Sequence, residues 1–123
     1  MDVLVWVVSG VVAVAFLAAG ALKLTQPRQT LVAKGQAYAE DFSANAVKGI
    51  GLAEVLGAVG LILPWALDVA PVLTPLAATG LALTMAGAVV VHVRRGDERK
   101  ELVPGLVLGL LALFVAVARF AQL

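Results

Sequence analysis

Four apolar runs, each about as long as a membrane-spanning helix, follow one another along the chain. They cover residues 3–23, 46–66, 75–93 and 103–120. Roughly 20 apolar residues in a helix cross a hydrocarbon core of about 30 Å. Only a helix satisfies its own backbone hydrogen bonds in lipid, because an isolated strand leaves its N–H and C=O groups unpaired. The four runs therefore predict four transmembrane helices.

The composition argues against a soluble domain of this size. Of the 123 residues, 62% are hydrophobic and only 14% are charged. A small soluble domain has too much surface for its volume to bury so many apolar side chains. We therefore expect residues 1–123 to form a single domain, an all-α integral membrane protein in which four transmembrane helices make an antiparallel bundle.

The rarer residue types exclude several functions. The net charge of +1 and the lack of a basic, aromatic patch argue against a nucleic-acid partner. The absence of cysteine excludes disulfides, an internal thiol relay, cysteine-ligated zinc and iron–sulfur clusters. With one histidine in the chain, neither a protein-held metal nor a haem is expected.

The basic residues lie at one end of the predicted bundle. All Lys and Arg residues except Arg119 fall in or beside the loops 24–45 and 94–102. Loops rich in Lys and Arg stay in the cytoplasm. The sequence thus predicts a multi-pass protein of the inner (plasma) membrane, with both loops cytoplasmic and both termini outside. Trp6 and Trp65 then lie at the outer boundary, and Arg119 should extend toward the outer headgroups.

The ends of the helices carry their own signals. Asn45 suits the N-cap of the second helix, and Thr74 suits that of the third. Pro75 would follow at the first helical position, where its missing N–H would be unpaired anyway. Gly96 and Asp97 predict a turn in a solvated hairpin between the third and fourth helices.

The first loop is predicted to contain a short amphipathic segment. Leu31, Tyr38 and Phe42 recur there at helical spacing among charged residues. This pattern is typical of a helix that lies on the inner leaflet. An ordered loop that packs two aromatic side chains under the bundle would give the same pattern.

Small residues indicate where the helices meet. Association of helices in lipid depends on close approach of their backbones, which small residues allow. The second span carries Gly57 and Gly60, and the fourth carries the GxxxG pair Gly105 and Gly109. We expect these glycines either to pack helices within one bundle or to form the contact of a homo-oligomer.

Glu54 is the costliest residue to place in a membrane. At about 1.5 Å per residue it lies roughly 12 Å beyond Ala46, near the midplane. A carboxyl group there must be protonated or have a partner inside the bundle. Lys23, Thr84 and His92 are the polar side chains within reach in an antiparallel bundle. The sequence therefore predicts a polar track of these four residues that holds a ligand or a proton.

Each member of the track also has a purely structural interpretation. Glu54 would be a hydrogen-bonded structural residue, and Thr84 would bond a carbonyl of its own helix. Lys23 would extend to the headgroups, and His92 would be favoured simply by the C-terminus of its helix. The sequence leaves both interpretations open.

Four segments resemble signatures of the DoxX-like family, in the right order and over nearly the whole chain. They are residues 16–24 (FLAAGALKL), residues 48–64 with their glutamate and terminal proline, residues 84–96 with a histidine before a basic turn, and residues 118–120. The resemblance implies a four-helix membrane bundle. It also implies an association with thiosulfate:quinone oxidoreduction, oxidative-stress complexes or maturation of membrane and redox proteins. Family branches that act through cysteine pairs are not models for this chain.

The resemblance and the polar track together favour an accessory or ligand-binding subunit of a membrane redox system. A quinone or another lipophilic molecule would bind near Glu54 and His92, because a carboxylic acid and an imidazole can hydrogen-bond a quinone head or pass its protons. The expected partners are the lipid bilayer and a redox enzyme or other membrane protein. No residue is assigned a catalytic role, and an accessory function is favoured over an enzymatic one.

Two other functions remain open at this point. A small proton-coupled transporter of lipophilic cations would use Glu54 to exchange protons, although Lys23 would compete with the cation. An assembly factor for membrane proteins would need no ligand.

Overall fold

Four long helices contain most of the residues that the computed structural model describes. The structure describes residues 2–27, 29–30 and 42–123. Within these residues α1 spans Asp2–Thr25, α2 spans Ala44–Leu67, α3 spans Leu73–Arg95 and α4 spans Arg99–Gln122. Each helix is long and apolar enough to cross a membrane. The predicted all-helical membrane fold is confirmed, and each helix contains one predicted span.

The helices form a ring around an apolar core. α1 packs against α2, α2 against α3, α3 against α4, and α4 against α1. Buried side chains from all four helices fill the centre, among them Val12, Phe16, Ala58, Leu61, Leu81, Ala112 and Val115. Many Leu and Val side chains point outward. An outward apolar surface suits lipid tails, which are as apolar as leucine itself.

The two ends of the bundle differ in chemistry. α1 meets α2 at one end, where Lys48 Nζ donates to the carbonyl of Leu24 at 3.0 Å. The loop between α3 and α4, next to Arg94 and Arg95, is predicted to lie at the same end of the bundle. We call this end the basic end. α1 and α4 meet at the opposite end, where Arg119 contacts Asp2.

The cap predicted for α2 is wrong. Ser43 is the N-cap, and its Oγ accepts a hydrogen bond from the N–H of Ala46 at 3.1 Å. Asn45 therefore lies inside the first turn. Ser and Asn are about equally good N-caps, so local preference alone does not choose between neighbouring positions.

The cap predicted for α3 is also wrong. The helix begins at Leu73 with Val72 as N-cap, and it has no side-chain cap. Thr74 is instead fully buried, and its Oγ1 donates to the carbonyl of Gly60 on α2 at 2.9 Å. A contact between helices has replaced the local cap, and Pro75 is the third helical residue instead of the first.

The predicted turn at Gly96 ends α3. Gly96 has φ +72°, a left-handed conformation that glycine adopts without steric cost. The amphipathic segment predicted in the first loop falls mostly on residues 31–41, outside the described residues. Phe42, its last member, is described and lies just before α2.

The four glycines predicted to pack helices all face side chains of α3. A Cβ added to Gly57 would lie 2.6 Å from Leu81, and one added to Gly60 would lie 2.8 Å from Ala77. On α4, a Cβ at Gly109 would lie 3.1 Å from Met85, and the nearest atom to one at Gly105, on Val89, would be 3.5 Å away. These contacts lie within one bundle. A homo-oligomer stays a prediction.

Candidate functional site

A cavity of about 520 Å³ lies between the helices toward the basic end. We call it the basic-end cavity. Its wall contains all four residues of the predicted polar track, namely Lys23, Glu54, Thr84 and His92. The rest of the wall is mainly apolar and is formed by Phe16, Ala19, Phe42, Ile50, Met85, Gly87, Ala88, Val91, Glu101, Pro104, Gly105 and Leu108.

Lys23 and Glu54 form an ion pair in this wall. Lys23 Nζ lies 2.8 Å from Glu54 Oε1, and the two side chains are only 8% and 2% exposed. Removing either partner would leave an uncompensated buried charge, which is strongly unfavourable. The partner of Glu54 is therefore the basic residue in the last turn of α1, one of the three polar residues that the sequence placed within reach.

Two glycines make the ion pair possible. α1 and α2 touch backbone to backbone, because a Cβ on Gly20 would lie 2.6 Å from the carbonyl oxygen of Gly51. Lys23 follows Gly20 by one helical turn, and Glu54 follows Gly51 by one turn, so each charged residue shares a face with its glycine. The close approach brings the ammonium and the carboxylate within contact distance.

His92 is oriented by a residue that the sequence analysis assigned to a solvated turn. His92 Nδ1 lies 2.7 Å from Asp97 Oδ2, and the two side chains are 17% and 21% exposed. An ionised carboxylate only accepts hydrogen bonds, so Nδ1 is the donor. Arg95 Nε lies 3.6 Å from the same oxygen. Asp97 therefore fixes the ring and its tautomer, with the ring in the cavity wall.

Thr84 combines a structural and a lining role. Its Oγ1 donates to the carbonyl of Gly80 at 2.8 Å, which is the contact expected from the structural interpretation. The hydroxyl oxygen still has lone pairs that can accept a hydrogen bond. Thr84 thus adds a weakly polar point to the cavity wall.

Glu101 is a cavity residue that the sequence analysis missed. It lies in the first turn of α4 and lines the cavity with Pro104 and Gly105. The signal was present, because residues three and four apart share one face of a helix. The sequence instead suggested that Glu101 was one of the solvated charges of the hairpin between the third and fourth helices.

In the described part of the chain, no three His, Asp or Glu side chains converge as metal ligands would.

A second polar cluster at the opposite end corrects the prediction for Arg119. The side chain is fully buried rather than extended to the headgroups. Its Nη1 donates to Asp2 Oδ1 at 3.1 Å and to Gln122 Oε1 at 2.7 Å. The guanidinium lies between two indole rings, 4.8 Å from the centroid of Trp6 and 4.5 Å from that of Trp65. Cation–π contacts thus replace water around the charge and tie α4 to α1 and α2.

These features define a small multi-pass membrane protein with a buried ion pair in an internal cavity. The family model described as the DoxX-like family matches residues 7–115. The chain therefore belongs to the DoxX-like family. The matched range includes the lining residues of the basic-end cavity, whereas Asp2, Trp6 and Arg119 fall outside it. Comparison with curated proteins and with solved structures gave no match.

Proposed function

We propose that this protein binds a lipophilic molecule in the basic-end cavity and acts as an accessory, ligand-binding subunit of a membrane redox system. The observation that carries the proposal is the Lys23–Glu54 ion pair, 2.8 Å apart in the wall of an otherwise mainly apolar cavity. Ligand sites of this kind combine an apolar lining with a few polar groups that orient the ligand. Charged residues inside membrane spans commonly mark such sites.

The paired charges suit a polar head that carries oxygen atoms. The Lys23 ammonium has three N–H donors, and the Glu54 carboxylate is an acceptor when it is ionised. A carbonyl oxygen would accept from Lys23, and a hydroxyl group would donate to Glu54. His92 donates from Nδ1 to Asp97, so in the neutral ring Nε2 is an acceptor, which suits a hydroxyl group at the other end of the head. A quinone presents carbonyls and its quinol presents hydroxyls, so the quinone–quinol couple is the first ligand to test.

The ion pair favours ligand binding over exchange of lipophilic cations. In a proton-coupled exporter the membrane carboxylate binds the cation after losing its proton. Here Lys23 already neutralises Glu54 at 2.8 Å. A cationic substrate would have to displace a buried ammonium, whereas a neutral amphiphile would not.

The orientation in the membrane is part of the proposal. The basic end faces the cytoplasm by the positive-inside rule, so the cavity opens toward the inner leaflet. A redox enzyme bound at that leaflet would have direct access to the head of the ligand.

The test uses two glycines at which an added Cβ would lie in open space, with no atom within 4 Å. Gly87 lines the cavity, whereas Gly10 does not. Wild type, Gly87→Leu and Gly10→Leu are purified in mild detergent, and the extracted small molecules are compared by mass spectrometry. We expect one lipophilic molecule to be retained by wild type and Gly10→Leu and lost from Gly87→Leu. Equal retention by all three, or no retained molecule, would contradict the proposal.

A further inference from the structure

An apolar groove of about 610 Å³ runs along the seam between α2 and α3. We call it the α2–α3 groove. Small residues from both helices form much of it, namely Ala53, Gly57, Gly60, Ala77, Gly80 and Thr84. Thr84 is the one hydroxyl-bearing residue of its lining, and the lining has no charged side chain.

The groove continues the basic-end cavity toward the opposite end of the bundle. Thr84 lines both spaces. On α2 the neighbouring residues Glu54 and Ala53 line the cavity and the groove, respectively. From Thr84 the groove follows α3 back to Leu73, a distance of about 16 Å at the rise of an α-helix. The two spaces therefore adjoin at Thr84, which a molecule occupying both would have to pass.

We propose that the ligand is an amphiphile with a single hydrocarbon chain, whose head lies at the Lys23–Glu54 pair and whose chain lies in the α2–α3 groove. This inference rests on the proposed function, because the position of the head at the ion pair determines where the hydrocarbon chain of the ligand begins. Thr84 presents no obstacle to a passing chain, because its hydroxyl proton is already bonded to the Gly80 carbonyl. Small residues let the chain approach the backbone closely, and such packing is what favours association between apolar groups in lipid.

The groove can be filled without touching the cavity. Gly80 lines the groove and not the cavity, and a Cβ there would meet no atom within 4 Å. Gly80→Leu thus fills the groove, Gly87→Leu fills the cavity, and Gly10→Leu is the control. All three replace a glycine by leucine on a helix where the added Cβ has open space.

The experiment measures binding of two probes, decylubiquinone and the same benzoquinone head without its chain. For each probe the Kd of a variant is divided by the Kd of wild type in the same detergent, so that partition of the probe into micelles cancels. We expect Gly80→Leu to raise the Kd of decylubiquinone by about tenfold, the size of effect given by overfilling a packed site. The Kd of the chainless head should not change. Gly87→Leu should raise both.

The outcomes separate the two proposals. If Gly80→Leu leaves the Kd of decylubiquinone unchanged while Gly87→Leu raises it, the chain does not lie in the groove and this inference is overturned alone. If Gly80→Leu instead changes the oligomer mass in detergent at unchanged affinity, the groove is a contact with a second copy, and the inference is again overturned. Binding of neither probe to folded wild type would overturn the quinone assignment and this inference with it. Gel filtration and the melting temperature establish that each variant is folded.

Discussion

A Cβ atom on Gly51 would lie 2.7 Å from the Cβ atom of Lys23. Because Gly51 has no side chain, the aliphatic part of the Lys23 side chain can pass along the surface of α2 and reach Glu54. The contact between a glycine and a lysine stem explains how a charged residue near the end of α1 pairs with a carboxylate one turn further along α2.

Gly51→Ala should destabilise the protein by about 1–3 kcal/mol, because the added methyl group overpacks the backbone contact and displaces Lys23. Gly49→Ala on the same helix is the matched control, since a Cβ there meets no atom within 4 Å. The melting temperatures of both variants in the same detergent check this. A Gly51→Ala protein as stable as the Gly49→Ala protein would show that the helices do not approach so closely.

The ion pair should appear as coupling in a double-mutant cycle. Lys23→Met in wild type leaves the Glu54 carboxylate without its partner, whereas in the Glu54→Gln background it leaves no buried charge. We expect the loss of stability to be larger in wild type, with a coupling energy on the order of 1–3 kcal/mol. Equal losses in the two backgrounds would show that the two side chains do not interact.

The Arg119 cluster should stabilise the fold without affecting the ligand site. Arg119→Lys keeps the charge but loses the planar group that stacks between Trp6 and Trp65. We expect a loss of about 2 kcal/mol of stability and a changed tryptophan emission, because both rings lose their cation–π contact. Binding of decylubiquinone should remain at the wild-type level. Unchanged stability and emission would contradict the buried position of Arg119.

The orientation can be tested directly, since the chain contains no cysteine. Lys100, whose side chain is 74% exposed, and Leu123, which is 60% exposed, are replaced one at a time by cysteine. An impermeant thiol reagent should label position 123 in intact cells and position 100 only after permeabilisation. Labelling of position 100 from outside would reverse the proposed orientation.

The sequence predicted the features that depend on composition and on the cost of burying charge. Four apolar runs require four helices, and Glu54 requires a partner, for which Lys23, Thr84 and His92 were the polar side chains within reach. It did not predict Arg119, because the contact with Asp2 joins residues near opposite ends of the chain. Asp97 and Glu101 looked like solvated loop charges, since nothing local indicates which loop residue turns toward a cavity. The caps of α2 and α3 were each misplaced by two residues. At α2 Ser and Asn are about equally good caps, and at α3 packing between helices, as in the Thr74–Gly60 bond, overrides a local preference.

The most direct measurement is the Kd of decylubiquinone for Glu54→Gln compared with wild type. This substitution keeps the shape of the side chain and removes the carboxylate that pairs with Lys23 in the cavity wall. We expect a protein that still elutes as a folded species in gel filtration but binds the probe about tenfold more weakly, because the carboxylate no longer holds the Lys23 ammonium in place to donate to a quinone carbonyl. Folded Glu54→Gln protein that binds decylubiquinone as tightly as wild type would contradict a ligand site at the Lys23–Glu54 pair.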